Sequence, residues 1–494
     1  MRRLVSSAAA LEADRRAETD FGYPPLLLME EAGIRLQDQL EKWTTEGKLP
    51  SGTVVYLAGA GNNGGDALVM ARQAYLRGRT VSVVRVFPPS SPSCRQQNQW
   101  IERLGVPVSD WPSAEANRAL ADAAVWVDGL WGTGLNGPVR DEREAVLRDL
   151  EALRARLLRP VVAVDVPSGL GERYVSGAAV LRARFTLSPG WAKDFCFYPE
   201  AREAAGEVVE VPLAFPVAAA ASAELVEASD LTSLLPAVAP GDHKSRRGHV
   251  ALVGAAAGMT GALVLAARSA AAAGAGLVSL GVDAELIDPV AGQVPSFQVR
   301  TPEALLGLLG RYDALVVGPG WGRTADRPGL LSALWGSALP LVVDADGLTA
   351  WKALAPPPRR APVVFTPHPG EFARLGAPEG HAVAAAAALA RTHQVTIVLK
   401  GAVTWVLAPD GRRAVWDGAN PALGTGGSGD CLAGVVGALL ARGLDGFEAA
   451  RAAVALHGEA GRRLAARVGW FTADQLPEAL ALTAASCMAG LGPL

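Results

Sequence analysis

The run Gly424-Thr-Gly-Gly-Ser-Gly-Asp430, followed by Cys431-Leu-Ala-Gly434, is the stretch of this chain best suited to chemistry. Glycines without Cβ atoms let successive backbone N–H groups turn toward one point, and a helix starting at Asp430 would add its positive end. Gly426, Gly427, Ser428 and Gly429 would then form a nest for an anion. A carboxylate at the mouth of such a nest is badly placed to hold phosphate but well placed to take a proton from a hydroxyl as a phosphoryl group arrives. Asp430 is therefore the first catalytic candidate, although in isolation it would serve equally as a helix N-cap.

A second group of polar glycine loops lies in the first half. Thr53-Val-Val-Tyr-Leu57 reads as a strand that runs into Gly59-Ala-Gly-Asn-Asn-Gly-Gly-Asp66 and then into a helix. Gly59, Gly61 and Gly64 fit G-x-G-x-x-G in the right context, yet the next strand, Val81-Ser-Val-Val-Arg-Val86, lacks the acidic residue expected to hold a ribose hydroxyl. Ordinary dinucleotide cofactor binding is disfavoured. Asn62, Asn63 and Asp66 instead offer amide and carboxylate oxygens, which suit a hard cation. Two more strand ends match this loop: Ala124–Asp128 opens into Gly129–Pro138, and Val161–Asp165 opens into Val166-Pro-Ser-Gly169. In a parallel sheet such loops gather at the carboxyl edge, where ligands bind.

The elements that must position these residues alternate strand and helix throughout. Leu11 to Trp43 reads as two helices broken at Pro24-Pro25. An Ala-rich connector at 218–226 separates a first domain, 1–217, from a second, 227–494. In the second, Ala314–Gly322, Leu341–Gly347, Val363–Glu371 and Val395–Gly401 are strands that each end in a polar or glycine loop, which predicts another α/β sheet with its functional residues along one edge. Lys400 would meet a nucleotide phosphate there or simply be solvated; His368, held between two prolines, faces a cleft.

Composition limits the function classes. The net charge of -3 and pI of about 6.1 argue against a nucleic-acid surface. The four cysteines, Cys94, Cys196, Cys431 and Cys487, lack metal-ligand or paired spacing, which fits a reducing compartment. No secretory signal or membrane span is expected, so the sequence predicts a cytoplasmic protein acting on small molecules.

Gly-Asn-Asn-Gly-Gly-Asp66, Asp128-x-Leu-Trp-Gly-Thr-Gly-Leu135 and Asp165-Val-Pro-Ser-Gly169, in this order, resemble the NAD(P)H-hydrate epimerase domain. That resemblance implies a Rossmann-like three-layer sandwich that interconverts the R and S forms of NADHX and NADPHX, the hydrates of reduced nicotinamide cofactors. It implies potassium ligands at Asn63, Asp128 and Ser168. It implies a hydrate site lined by Asn62, Asn63, Gly64, Gly65 and Asp66 with Gly132, Thr133, Gly134, Leu135, Asn136, Gly137 and Pro138, and Asp165 as acid/base. Gly171–Gly177 is shorter than is usual in that family, and Trp191–Pro199 matches its lysine-containing loop loosely.

From about Leu231 to Leu482 the chain resembles the ADP/ATP-dependent NAD(P)H-hydrate dehydratase, carried by Thr366-Pro-His-Pro-Gly-Glu371 and Gly424–Asp430. The implied fold is a ribokinase-like three-layer sandwich. By motif, Ala262, Gly320, His368 and Asp430 would contact the S-hydrate, while Lys400, Gly401, Ala402, Val403, Thr404 and Gly429 would contact ADP or ATP with Mg2+. The family's reaction phosphorylates the C6 hydroxyl and eliminates phosphate. The resemblance also implies a homo-oligomer. The rival reading is a ribokinase-like kinase of a small alcohol or vitamin precursor carrying a non-catalytic Rossmann-like binding domain.

Overall fold

The computed structural model describes residues 1–135, 137–239, 241–376 and 381–487. The chain divides into two compact units, Arg3–Ala223 and Glu224 onward together with Met1–Arg2.

In the first unit, strands β1 (Val54–Ala58), β2 (Val81–Arg85), β3 (Val108–Asp110), β4 (Val125–Gly129), β5 (Val161–Val164), β6 (Phe185–Pro189) and β7 (Glu207–Val211) form one parallel sheet. Their order is β3-β2-β1-β4-β5-β6-β7, so the chain reverses direction of growth beside β1, the switch point where α/β sheets open a crevice. Val55 and Leu57 point into one core with Trp126 and Leu147, while Tyr56 and Ala58 point into another with Leu36, Leu40 and Val127. Both faces are covered, which is why these strands are apolar at consecutive rather than alternate positions. Helices α1 (Ser7–Phe21) and α2 (Pro25–Thr45) precede the sheet; Gly22, in left-handed conformation at φ 69°, ends α1, and Pro25 opens α2. Helix α3 (Asn62–Leu76) begins inside the Asn-Asn-Gly-Gly loop.

In the second unit, β9 (His249–Val253) pairs in parallel with β10 (Leu277–Gly281) and β12 (Ala314–Val317). The edge strand β11 (Gln298–Arg300) lies beside β10. Beyond β12 follow β13 (Leu341–Val343), β14 (Val363–Phe365) and β15 (Thr396–Leu399), all parallel. The antiparallel hairpin β16 (Val403–Leu407) and β17 (Arg413–Asp417) completes that side. Part of the expected Ala-rich connector is regular: Ala221–Leu225 is a strand, β8, whose Glu224 and Leu225 pair in parallel with Ala414 and Val415. Helices α5 (Thr260–Ala272), α6 (Asp346–Leu354), α7 (Pro369–Arg374), α8 (Ser428–Ala441) and α9 (Gly446–Val468) carry or support the loops at the sheet edge; α4 (Asp141–Leu157) belongs to the first unit.

Candidate functional sites

The first unit encloses a cavity of about 600 Å3 at the carboxyl ends of its strands. Asn62, Asn63, Asp66, Gly132, Thr133, Gly134, Leu135 and Asp165 line it together with Asp14, Trp131 and Lys193. Gly64 and Gly65 do not line it. A Cβ on Gly64 would stand 2.0 Å from the Gly59 carbonyl oxygen, so this glycine lets α3 start against the β1 loop. Gly137 and Pro138 border a neighbouring depression with Val139 and Arg140, and Asn136 lies outside the described residues.

Asp165 sits at the end of β5 with φ 68°, a left-handed conformation that is costly for a residue with a Cβ. Its own N–H donates to the Leu187 carbonyl at 2.7 Å, and the Ser188 hydroxyl donates to its carbonyl at 2.9 Å, which hold the turn. Oδ1 is 2.5 Å from Lys193 Nζ, and Oδ2 accepts from the Thr133 N–H at 2.9 Å. Lys193 is buried, so this pair is a fixed charged group in the cavity wall. Asp66 is raised well above the ordinary carboxyl range by burial first, and then by the Asp165 and Asp14 carboxylates. Lys193 and Asp14 escaped the motif reading: Lys193 stands in the loosely matched loop, and Asp14 on a helix remote in sequence.

Behind this wall Asp128 is fully buried. Its Oδ1 accepts from the Ser168 hydroxyl at 2.6 Å and the Leu130 N–H at 3.1 Å, and its Oδ2 from the Ser168 N–H at 2.8 Å. The Ser168 Oγ also accepts from the Trp131 N–H at 2.9 Å. Burial raises the Asp128 carboxyl to about 6, against the pull of the Ser168 and Leu130 donors. Asn63 is buried and its Nδ2 has no partner among the described residues.

In the second unit, α8 starts at Ser428 rather than Asp430. Gly427, at φ 95°, takes the N-cap position, and Asp430 becomes the third helical residue. The left-handed glycine itself turns the chain into the helix two residues before Asp430, where the sequence places its start. The N–H groups of Gly426, Gly427, Gly429 and Asp430 have no acceptor among the described residues, whereas Ser428 is tied down through N–H to Thr425 O at 3.3 Å and through its hydroxyl to Leu423 O at 2.7 Å. Free donors converge at a positive helix end.

Lys400, just beyond β15, reaches back to this nest: a Cβ on Gly429 would lie 3.1 Å from its Nζ. The same Nζ donates to Asp344 Oδ1 at 3.0 Å and lies 4.0 Å from Glu371 Oε2. Asp344 is buried and also accepts from the Thr366 hydroxyl at 2.7 Å. Burial lowers the Lys400 pKa, but Asp344, Glu371 and Asp430 outweigh it and the net shift is upward. Asp430 is pushed up to about 7 by burial and by Asp344, with Lys400 opposing and Glu371 adding to the rise. Asp344 and Glu371 sit within stretches the sequence marked as strand ends, but their charge coupling to Lys400 depends on strand order.

His368 is half exposed and caps α7: its Nδ1 accepts from the Gly370 N–H at 3.0 Å and the Glu371 N–H at 3.3 Å. The Glu371 carboxylate returns a bond to the His368 N–H at 2.9 Å. Gly320, at φ 59°, lies beside Ala262 of α5, since a Cβ there would be 3.0 Å from the Ala262 Cβ. Further along α5, Leu265 packs under the nest, 2.6 Å from a Cβ built on Gly427. Gly401 and Ala402 turn the β15–β16 hairpin, and Val403 and Thr404 begin β16, with the Thr404 hydroxyl donating to Gly401 O at 3.2 Å.

Fold and sites together define a two-domain α/β protein in which a Rossmann-like cavity of carboxyl groups precedes a ribokinase-like anion nest with a poised aspartate. Comparison with known proteins narrows this. A family model described as YjeF-related protein N-terminus matches residues 26–195, and one described as NAD(P)H-hydrate dehydratase matches residues 250–482. A bifunctional NAD(P)H-hydrate repair enzyme from Gloeobacter violaceus is 36% identical over 498 residues, covering 96% of this chain and 95% of that one. Another of that description from Moorella thermoacetica is 31% identical, covering 94% and 93%. A solved ribokinase-like superfamily protein from Enterococcus faecalis superposes with a TM-score of 0.51 at 26% identity, over 54% of this chain and 96% of its own. The chain belongs to the bifunctional NAD(P)H-hydrate repair enzyme family. No helix among the described residues is long and apolar enough to cross a membrane.

Proposed function

We propose that this protein epimerises R- and S-NAD(P)HX in its first unit and dehydrates the S form in its second, using ADP or ATP. The single observation that carries the reading is the pairing, in one family member, of a carboxyl-lined cavity with a free-donor nest faced by Asp430. In the second unit, Asp430 takes the proton of the C6 hydroxyl as its oxygen attacks the terminal phosphorus of the nucleotide. A carboxyl titrating near neutrality is suited to that exchange. The N–H groups of Gly426, Gly427 and Gly429, with Lys400, hold charge on the transferring phosphoryl group. The C6–O bond then breaks with its electron pair on phosphate, and loss of the C5 proton restores the reduced nicotinamide. Hydroxide is a poor leaving group and phosphate a good one, which explains why a dehydration consumes a nucleotide. His368, Gly320 and Ala262 border the hydrate; Lys400 to Thr404 and Gly429 border the nucleotide.

Among the described residues no three carboxyl, imidazole or thiol groups converge as an ion cage. Magnesium would come to this site on the nucleotide phosphates, whose charge it would neutralise there. In the first unit the fully buried Asp128 carboxylate, bonded to Ser168, is paired by no cationic side chain among the described residues, and the Asn63 amide oxygen, which lies with Asp165 Oδ2 around Gly132, would be a further ligand. A potassium ion fits that charge and donor set, and when bound it would neutralise Asp128 and tie the three loops together. We place the reaction in the cytoplasm, where four unpaired cysteines stay reduced, and in a homo-oligomer.

Recovery of reduced-nicotinamide absorbance from purified S-NADHX with magnesium and ADP or ATP tests the reading. Full recovery is expected. A stable phosphorylated product with no recovery would instead support a kinase of a small alcohol.

A further inference from the structure

Inversion at C6 needs groups on two faces of one carbon, and the single acid/base that the motifs supply cannot lie on both. Asp165 is further committed, with Oδ1 on Lys193 and Oδ2 on the Thr133 N–H. Besides Asp165 the cavity offers Asp66 of α3 and Glu18 and Asp14 of α1, and Asp14 is singled out because it stands on a separate element and couples electrostatically to both Asp165 and Lys193. Helix α1 buries Ala10, Ala13 and Ala17, and Asp14, beside them on the helix, is exposed to solvent where α1 borders the cavity. Asp14 lines the same cavity as Asp165, from a different element. It makes no hydrogen bond or ion pair among the described residues, while its helix neighbours Arg15 and Arg16 are occupied by Glu12 and Asp20. A free carboxyl beside that stripe contributes nothing to packing. Asn63, whose buried Nδ2 has no partner among the described residues, lines the same cavity.

We propose that Asp14 is a second catalytic carboxyl group of the epimerisation, donating a proton to the departing C6 hydroxyl while Asp165 accepts one from the water that replaces it. This rests on the epimerase reading of the first unit. The C6–O bond breaks with its electron pair on oxygen, which leaves as water with the Asp14 proton, and the ring nitrogen lone pair closes onto C6 as an iminium ion. Water then adds to the opposite face through an oxygen lone pair and gives its proton to Asp165. One water leaves and one enters, and no oxidant or reductant is needed. The reverse direction exchanges the roles of the two groups.

The charges around Asp14 support this division. Although Asp14 reaches solvent, the protein packed about it raises its carboxyl to about 6, with Lys193 opposing and the Asp165 carboxylate adding to the rise. The remaining titratable groups facing the cavity are Asp66 of α3, Arg143 of α4, and Arg15 and Glu18 of α1. Asp165, by contrast, is held in an ion pair. Two carboxyl groups with separated environments are the usual arrangement for acid and base in one site.

The test measures R-to-S exchange by the full chain and its Asp14→Asn and Asp14→Glu variants. Asp14 has no bonded partner to lose, so both should fold. Asp14→Asn is expected to lower kcat by about 10²-fold with KM little changed, and Asp14→Glu to recover part of it. The wild-type rate should fall as pH rises past about 6, and this limb should vanish in Asp14→Asn. In heavy-oxygen water the product should carry label at C6. Unchanged kcat in Asp14→Asn, a pure KM effect, or retention of the original oxygen would overturn the role of Asp14. Absence of exchange in the wild-type chain would sink the epimerase reading itself.

Discussion

In the first unit the cavity is lined by ionisable side chains, Asp14, Asp66 and Asp165 together with Lys193. In the second they are mainly backbone, the free N–H groups of Gly426, Gly427 and Gly429, with side chains reduced to Asp430 and the Lys400–Asp344 pair. The difference follows from what each step must stabilise. A transferring phosphoryl group spreads charge over several oxygens, and a cradle of fixed dipoles answers it without reorganising. The epimerisation proposed above moves only protons and water, so acid and base groups on two faces would suffice. One chain thus carries a preorganised anion site and a titrating cavity, each unable to do the other's work.

The sharpest way to break this comparison is to remove one carboxylate from each unit. Asp430→Asn should lower dehydration by about 10³-fold and leave R-to-S exchange intact, measured on separate substrates. Asp165→Asn should do the converse. Since it would strand the buried Lys193, Asp165→Asn/Lys193→Met should be assayed beside it, and recovery of folding without recovery of exchange is expected.

Lys400→Met comes next. It removes a cation at the nest and one that holds the Asp430 pKa down, so dehydration should fall by about 10²-fold. The rise of the wild-type rate through about pH 7 should also move to higher pH, because Asp344 and Glu371 would then act on Asp430 unopposed. An unmoved limb would detach Lys400 from Asp430. Gly427→Ala should act on the nest alone: at φ 95°, with Leu265 at 2.6 Å from the added Cβ, it should destabilise the second unit by about 1–3 kcal/mol and weaken nucleotide binding, while exchange persists. Thermal unfolding and nucleotide titration would check both parts.

Sequence alone made the strand ends legible, because glycines, asparagines and aspartates interrupt apolar runs at every carboxyl edge. It also exposed both sheets and the order of the two domains. Hidden were the partners that only packing supplies. Lys193 reaches Asp165 because β6 lies beside β5, and Asp344 reaches Lys400 because β13, β14 and β15 are neighbours. Asp14 comes from a helix remote in sequence from the cavity loops, and only packing brings it beside them. Helix α8 starts two residues ahead of Asp430, where glycine and serine are weak helix formers and only the left-handed Gly427 reveals the cap.

A smaller effect concerns stability. A half-buried carboxyl such as Asp430, whose folded pKa lies near 7, above its unfolded value of 3.8, favours the folded state when protonated. The cost of ionising it grows as pH rises from about 4 to about 7 and is complete above that. Asp430→Asn should therefore raise the melting temperature of the second unit at pH 8 and change it little at pH 4. Equal effects at both would remove Asp430 as the strained group.

The central claim is that two independent sites act in sequence on one substrate pool, and complementation tests it most directly. Given an R/S mixture with magnesium and nucleotide, Asp430→Asn alone should restore no reduced nicotinamide. Asp165→Asn alone should stop at the S fraction, and the two variants combined should restore all of it. Recovery by the combination that stops at the S fraction would contradict the account.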